Sequence, residues 1–338
     1  AWTTPRPRRQ LVVGAVALLA LSQFAIALAP SYAVVVAARV TCAFAHGVFW
    51  SVLAPVAARL MAPGRAGRAT AVVFIGNSLA LVLGIPLATA LGDLVGWRAA
   101  TAVVGAAALM SVVALRIALP ALTSDAVAGN LRAQMAAIPA ALRSRSLFAV
   151  CAVTVVVVTG HFTAYTYVAP LVNRDAGATG LALSGVLLAY GIAGVGGLGV
   201  TGWATDRRPR LAAAACAATV AVALAVLSTV GYGSAALTVA AIMLWGAAFT
   251  AIPVCLQVAV LRVAPHSTAT ASALYVVAFQ IGIGGGALAG SILVNAGHLA
   301  ELPVAGMALA AVGTIVVLAA RHAFPSRAEH VRSQCVTP

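Results

Sequence analysis

The sequence predicts an all-α polytopic membrane protein, and three observations carry that prediction. Of its 338 residues 63% are hydrophobic and 8% charged, with a mean hydropathy of +1.07, a balance that no water-soluble domain of this length sustains. Apolar runs of about 20 residues, the length that crosses a hydrocarbon core as a helix, recur ten times. The runs are built from Leu, Ala and Val without polar alternation, which excludes a β-barrel.

In chain order the runs lie near 11–29, 33–62, 69–92, 99–119, 147–172, 181–203, 211–230, 235–264, 268–294 and 301–320. The first is a span and not a cleaved signal peptide, because it is long, lacks an early cleavage pattern and is followed by nine more. The third and ninth are glycine-rich, with Gly76, Ala80, Gly84, Ala88 and Gly92 in one and Gly282, Gly286 and Gly290 in the other falling at every fourth position. Each predicts a side-chain-free seam on which another helix backbone approaches closely. Between the fourth and fifth runs, Leu131, Met135, Ile138 and Leu142 form one helical stripe beside Arg132 and Arg143. That segment, 120–146, predicts a helix on the membrane surface, ended or kinked by Pro139, that tethers two halves.

All 20 basic residues are arginine. Seventeen fall in loops or ends on one side of the predicted spans, only Arg98 and Arg174 fall on the other, and Arg39 lies within a span. The positive-inside rule then places both termini and the 120–146 segment in the cytoplasm. The charge is scattered over membrane-adjacent loops, so the net charge of +14 does not describe a nucleic-acid-binding face. Cys42, Cys151, Cys216 and Cys255 in spans and Cys335 in the tail have no metal-ligand or redox spacing, and free thiols are expected. Heavy use of Ala, Arg, Gly and Val without lysine fits a high-GC bacterium.

The sequence also repeats itself. "APGRAGRATA" at 62–71 and "APHSTATASA" at 264–273 are offset by 202 residues, and "RPRRQL" at 6–11 answers "DRRPRL" at 206–211. Spans one to four thus repeat as spans seven to ten. The later copy is preceded by two further spans, so by symmetry two spans are expected ahead of residue 1, and a first residue of alanine fits a piece of a longer chain. The implied organisation is a four-span N-terminal half at 1–119, the linker at 120–146, a six-span half at 147–322 and a cytoplasmic tail at 323–338. Two six-helix halves in parallel repeat is the architecture of a major facilitator transporter.

Four segments in order carry a family resemblance: "RVTCAFAHGVFWSVLAPVAARL" (39–60), "GIPLATALGDLVGWRAA" (84–100), "GHFTAYTYVAP" (160–170), and "LRVAP" followed by "ASALYVVAFQIGIGGGALAG" (261–290). Together they resemble the twelve-span drug:proton antiporters of the major facilitator superfamily, within them the arabinose-efflux-like and chloramphenicol-resistance-like permeases, over essentially all of 1–322. The resemblance implies the major facilitator fold with ten of its twelve spans. It further implies a bacterial inner-membrane location, a monomeric working unit, a small-molecule substrate, protons as the coupling ion, and no cofactor or metal. "GWATDRRPR" keeps Gly202, Asp206 and Arg207 of the family's loop motif, with Pro209 and Arg210 where that motif prefers Gly-Arg. In the N-terminal half only the basic end of the motif, 6–9, stands. Pro86 beside Gly84 resembles the Gly-Pro pair of the family's fifth span and removes one helix hydrogen bond.

Polar side chains inside the spans are the candidate site, since in hydrocarbon they must be paired or wet. Thr154, His161 and Tyr165 share a helix face at i, i+7 and i+11. They either line a cavity or bond to neighbouring helices as packing, and the resemblance places their span against the substrate cavity. Arg39, His46 and Trp50 form a second stripe with the same spacing. Arg39 lies about 10 Å inside its span at 1.5 Å per residue, within reach of snorkelling. It also matches the family's coupling arginine, and His46 either takes part in proton transfer, for which its titration range suits it, or stands neutral and bonded across helices. Trp245, Phe249, Pro253 and Gln257 run in steps of four as an aromatic face that either packs or meets substrate. Asn77, Tyr275 and Gln280 are further polar candidates.

An enzyme would need clustered acids, a nucleophile with its base, or metal ligands. The six acidic residues all lie in loops, at span ends or in the tail, and no nucleotide-binding motif is present. Secondary-active efflux of a neutral or weakly polar molecule, such as an amphenicol, sugar or nucleoside, is the function expected, with a non-transporting sensor or an inactive fragment as the alternative.

Overall fold

A computed structural model describes residues 8–59, 76, 79–119, 138–139, 143–229, 234–264 and 267–324. Among the described residues every regular element is helical, and nine stretches are long and apolar enough to cross a membrane. The chain divides into two compact units, Ala1–Arg132 and Ala133–Pro338, with the division inside the 120–146 segment. Of the stripe expected for that segment only Ile138 is described; Leu131, Met135 and Leu142, like Asn77, Cys335 and the tail beyond 324, lie outside the described residues.

The first unit contains α1 (Arg8–Ala27), α2 (Tyr32–Arg59), α3 (Ile85–Val95) and α4 (Trp97–Ala118). Helix α1 packs against both α2 and α4, with Val13, Val16 and Val112 at the centre and Phe49 and Leu115 against them. Gly105 makes the approach of α4 to α1 possible, because a Cβ there would lie 3.2 Å from the Gln23 Cβ. Two arginines close the ends of this helix pair. The Arg9 guanidinium donates to the Arg116 carbonyl, and Arg98 donates to the Ala27 and Ala29 carbonyls at 3.1 and 3.0 Å. Arg98 thus satisfies acceptors left open at the C-terminus of α1, where a cation also complements the helix dipole.

The second unit contains α5 (Arg145–Tyr165), α6 (Val168–Ala176), α7 (Gly180–Arg207), α8 (Pro209–Thr229), α9 (Ala235–Phe249), α10 (Ile252–Val263), α11 (Thr268–Asn295) and α12 (Leu302–Ala319). Side-chain hydroxyls start two of them, Ser144 accepting from the Leu147 amide and Ser234 from the Leu237 amide, both at 3.4 Å. Helix α6 ends on Gly177, whose φ of 64° is the left-handed conformation that glycine adopts without penalty. Helix α5 packs against α11 and α12, α8 against α12 and α9, and α9 against α7.

Lipid tails are as apolar as leucine, so these contacts rest on close packing and not on water exclusion. The ninth-span seam supplies it. A Cβ at Gly282 would lie 2.6 Å from Val158 Cβ, one at Gly286 would lie 2.5 Å from the Thr159 carbonyl oxygen, and one at Gly290 would lie 2.6 Å from the Thr163 carbonyl oxygen. Three turns of α11 therefore lie backbone against α5. On the far side of α5, Gly160 and Gly306 bring α12 equally close.

The structure corrects the sequence reading in three places. The continuous span expected over 147–172 is broken at Thr166–Tyr167, and the one expected over 235–264 is broken at Thr250–Ala251. Each break lies up to four residues ahead of a proline, Pro170 or Pro253, whose ring excludes the helical carbonyl four residues earlier. In the third span the proline acts in the same way: a π-helical turn, Ala80–Gly84, precedes the buried Pro86, widening the helix where its hydrogen bond is lost. For the seam expected there, nothing among the described residues lies within 4 Å of a Cβ at Gly76, Gly84 or Gly92. Helix α3 instead turns Pro86, Thr89 and Ala90 inward and leaves Gly84 and Ala88 exposed.

Candidate functional site

The four aromatic and imidazole side chains singled out by helical spacing in the second unit meet at one point. His161 on α5 is 1% exposed and Trp245 on α9 is 0% exposed. The Trp245 indole N–H donates to His161 Nδ1 at 3.0 Å. An indole nitrogen only donates, so Nδ1 must be unprotonated and the neutral ring carries its proton on Nε2. The Phe249 ring lies parallel to the imidazole, 3.2 Å between centroids and 3° between planes. Tyr165, one turn along α5, stacks on the other side at 4.8 Å and 22°.

Two residues complete the cluster that sequence spacing did not select. Phe162 meets the imidazole edge-on at 4.7 Å, and Tyr190 on α7 reaches Tyr165 at 5.1 Å and Trp245 at 6.1 Å. A signal for Tyr190 exists, in that it shares a face with Gly194 and Gly197, and both glycines lie against α9. Gly246 in turn admits Tyr190, because any Cβ there would strike the tyrosine backbone and ring. Small residues on α7 and α9 therefore bring the aromatic rings of three helices together.

The remaining candidates are dispersed. Thr154 is buried on the same helix, but its hydroxyl donates to the Val150 carbonyl at 2.8 Å, so it does not extend the donor ring expected beside His161. Gln257 donates to the Ser272 hydroxyl at 3.0 Å and Tyr275 to the Pro253 carbonyl at 3.1 Å. Both tie α10 to α11 just beyond the proline break. Gln280 is exposed on α11. In the first unit Arg39 and His46 lie exposed on one face of α2, and the Trp50 side chain lies outside the described residues. Gly202 and Arg207 occupy the last turns of α7, with Arg207 exposed, and the Asp206 side chain lies outside the described residues. Among the described residues no group of three metal-ligating side chains forms.

The profile of the Major Facilitator Superfamily matches residues 2–287. The chain belongs to the major facilitator superfamily. A chloramphenicol efflux pump of Mycobacterium tuberculosis strain CDC 1551 / Oshkosh is 39% identical over 330 residues, covering 96% of this chain and 79% of that protein. A chloramphenicol efflux pump of Mycobacterium tuberculosis strain ATCC 25618 / H37Rv is 38% identical over 335 residues, with the same shares covered. As a major facilitator, the protein is a multi-pass membrane transporter of small molecules and not an enzyme. Among the described residues, the rings of α5, α7 and α9 form one contiguous cluster around the His161 imidazole.

Proposed function

We propose that this major facilitator exports a small neutral or weakly polar aromatic compound of the amphenicol class, driven by proton entry, by alternating access of two helical halves. The observation that carries the reading is His161, held between Phe249 and Tyr165 and bonded to Trp245 on another helix. Phe162 and Tyr165, the half-buried members of the cluster, are the rings that can meet a planar substrate, and the imidazole adds one N–H donor and no charge. The names of the two mycobacterial relatives support the choice of amphenicol. The tautomer supports proton linkage. A proton arriving at Nδ1 removes the acceptor of the Trp245 N–H, so charge on the ring and this α5–α9 bond are mutually exclusive. Arg39 and His46 on α2 are the further coupling candidates.

The test is uptake of labelled chloramphenicol into everted vesicles containing the protein. Accumulation that collapses on addition of a protonophore is expected. No accumulation above empty vesicles would overturn the export reading, and accumulation indifferent to the protonophore would overturn proton coupling. The reading also takes the protein to be a monomer in a bacterial inner membrane, and the arginine distribution supports both ends being cytoplasmic. In a chain that keeps Cys335 alone, a membrane-impermeant thiol reagent is expected to leave intact cells unlabelled and to label everted vesicles. Labelling of intact cells reverses the orientation.

A further inference from the structure

Between α7, α8 and α9 the second unit keeps a groove of about 470 Å³ that the aromatic cluster does not use. Gly196, Gly197 and Val200 of α7, Cys216 and Thr219 of α8 and Ala247 of α9 line it, and among the described residues no lining side chain is larger than valine. Its size falls within the roughly 300–1,000 Å³ of sites that bury most of a small ligand. Helical register leads the groove to a charged end. Counted along α7 from Ala193, Gly196, Val200 and Arg207 stand at i+3, i+7 and i+14, on one face of the helix. Arg208 opens α8, its carbonyl accepting from the Ala212 amide at 2.9 Å, and Ala215 and Thr219 follow it at i+7 and i+11 on the groove side. Both arginines are exposed. They stand in "DRRPR" (206–210), three arginines against one aspartate, at the turn where two spans end. From this cationic mouth the groove runs about 21 Å along α7 to Ala193, at 1.5 Å per residue. That exceeds the ~15 Å of hydrocarbon in one leaflet. Part-way up, the Thr201 hydroxyl faces Cys216 Sγ at 3.8 Å, so a polar group interrupts the apolar wall about 9 Å from Arg207.

We propose that this groove holds one acyl chain of an acidic phospholipid whose phosphate is held by Arg207 and Arg208. A guanidinium pairs with phosphate oxygens as a two-pronged fork, and basic clusters at the ends of membrane helices attract anionic headgroups. The acyl chain supplies the dispersion contacts that a wall of small residues leaves unmade. Below the phosphate, the Thr201 hydroxyl offers a donor to the ester carbonyls. Charge selects this occupant over a second copy of the protein, which carries +14 overall and would meet the mouth with like charge. A zwitterionic lipid carries its own cation beside the phosphate and loses the same advantage. At the far end of the groove, Ala193 and Ala247 lie within one turn of Tyr190 and Trp245. The lipid therefore braces the α7–α9 contact that holds the aromatic rings.

The experiment uses the purified chain, stripped of lipid in detergent and offered equal amounts of phosphatidylglycerol and phosphatidylcholine with the same acyl chains, the bound lipid being read by native mass spectrometry. One phosphatidylglycerol per chain is expected, at least tenfold over phosphatidylcholine. R207Q/R208Q is expected to remove the preference, whereas R321Q, at an exposed arginine elsewhere in the unit, keeps it. G196L tests the groove apart from the charge. Nothing among the described residues lies within 4 Å of a Cβ at Gly196, so the leucine fills the groove without displacing a helix. Bound lipid is expected to fall at least tenfold in G196L while the chain elutes and melts as the parent does. Undiminished phosphatidylglycerol on either R207Q/R208Q or G196L overturns the site. Displacement of the lipid by millimolar inorganic phosphate would show arginines that hold phosphate without a chain, and a parent dimer that G196L converts to monomer would give the groove to a second copy. Either result overturns the proposal.

Discussion

Replacing His161 with phenylalanine is expected to lower efflux at least tenfold while the chain still reaches the membrane at the parent's level. The substitution keeps a planar ring between Phe249 and Tyr165 and so preserves the stack. It removes two things, the Nδ1 acceptor of the Trp245 N–H and the Nε2–H on the opposite edge of the ring. Loss of the acceptor leaves a buried indole N–H without a partner, at a cost of about 1–3 kcal/mol, read as a lowered melting midpoint. The second substitution separates structure from function. W245F in the same chain removes the orphaned donor, although the smaller ring leaves part of the buried indole's volume empty. H161F/W245F is therefore expected to melt no lower than W245F alone and still to transport poorly, because the titratable ring is gone. Recovery of both stability and efflux in the double variant would reduce His161 to a packing residue.

The fold class was legible because hydropathy alone separates spans from loops. The helix breaks were less legible. "YTYVAPLV" and "FTAIPVCL" are as apolar as their surroundings, so a window average runs across them even though Pro170 and Pro253 mark the missing hydrogen bonds. The site was half legible. Steps of four put Trp245 and Phe249 on one face, and a spacing of four put His161 and Tyr165 on another. That the two faces meet was not written in either helix. It depends on contacts at Gly246 and Gly197, where the informative residue is the small one and the aromatic, Tyr190, arrives from a third helix. The third-span seam shows the same limit from the other side. Its period matches that of α11, but a period identifies a smooth face and not the helix that covers it. Gly286 has Thr159 against it, whereas among the described residues Gly84 has nothing within 4 Å.

That contrast gives the largest effect expected on stability, from Gly286→Leu. A Cβ at this position would lie 2.5 Å from the Thr159 carbonyl oxygen, 2.7 Å from Phe162 Cβ and 2.9 Å from the Thr163 amide nitrogen. Two of the three neighbours are backbone, which cannot rotate away, so α11 must move off α5. Overpacking a well-filled site costs about 1–3 kcal/mol when side chains can adjust, and a leucine forced against backbone exceeds that range. The displacement also carries Gly282 and Gly290 out of contact, since the three share one rigid helix face, and association in lipid has no water exclusion to restore it. It further moves α5, and with it His161. The expected result is loss of the monodisperse peak in size-exclusion chromatography after detergent extraction. Gly284→Leu is the control, because nothing lies within 4 Å of a Cβ there, so it adds the same residue two positions away without a clash and is expected to behave as the parent. If G286L elutes and melts like G284L, the α5–α11 seam does not hold this half together.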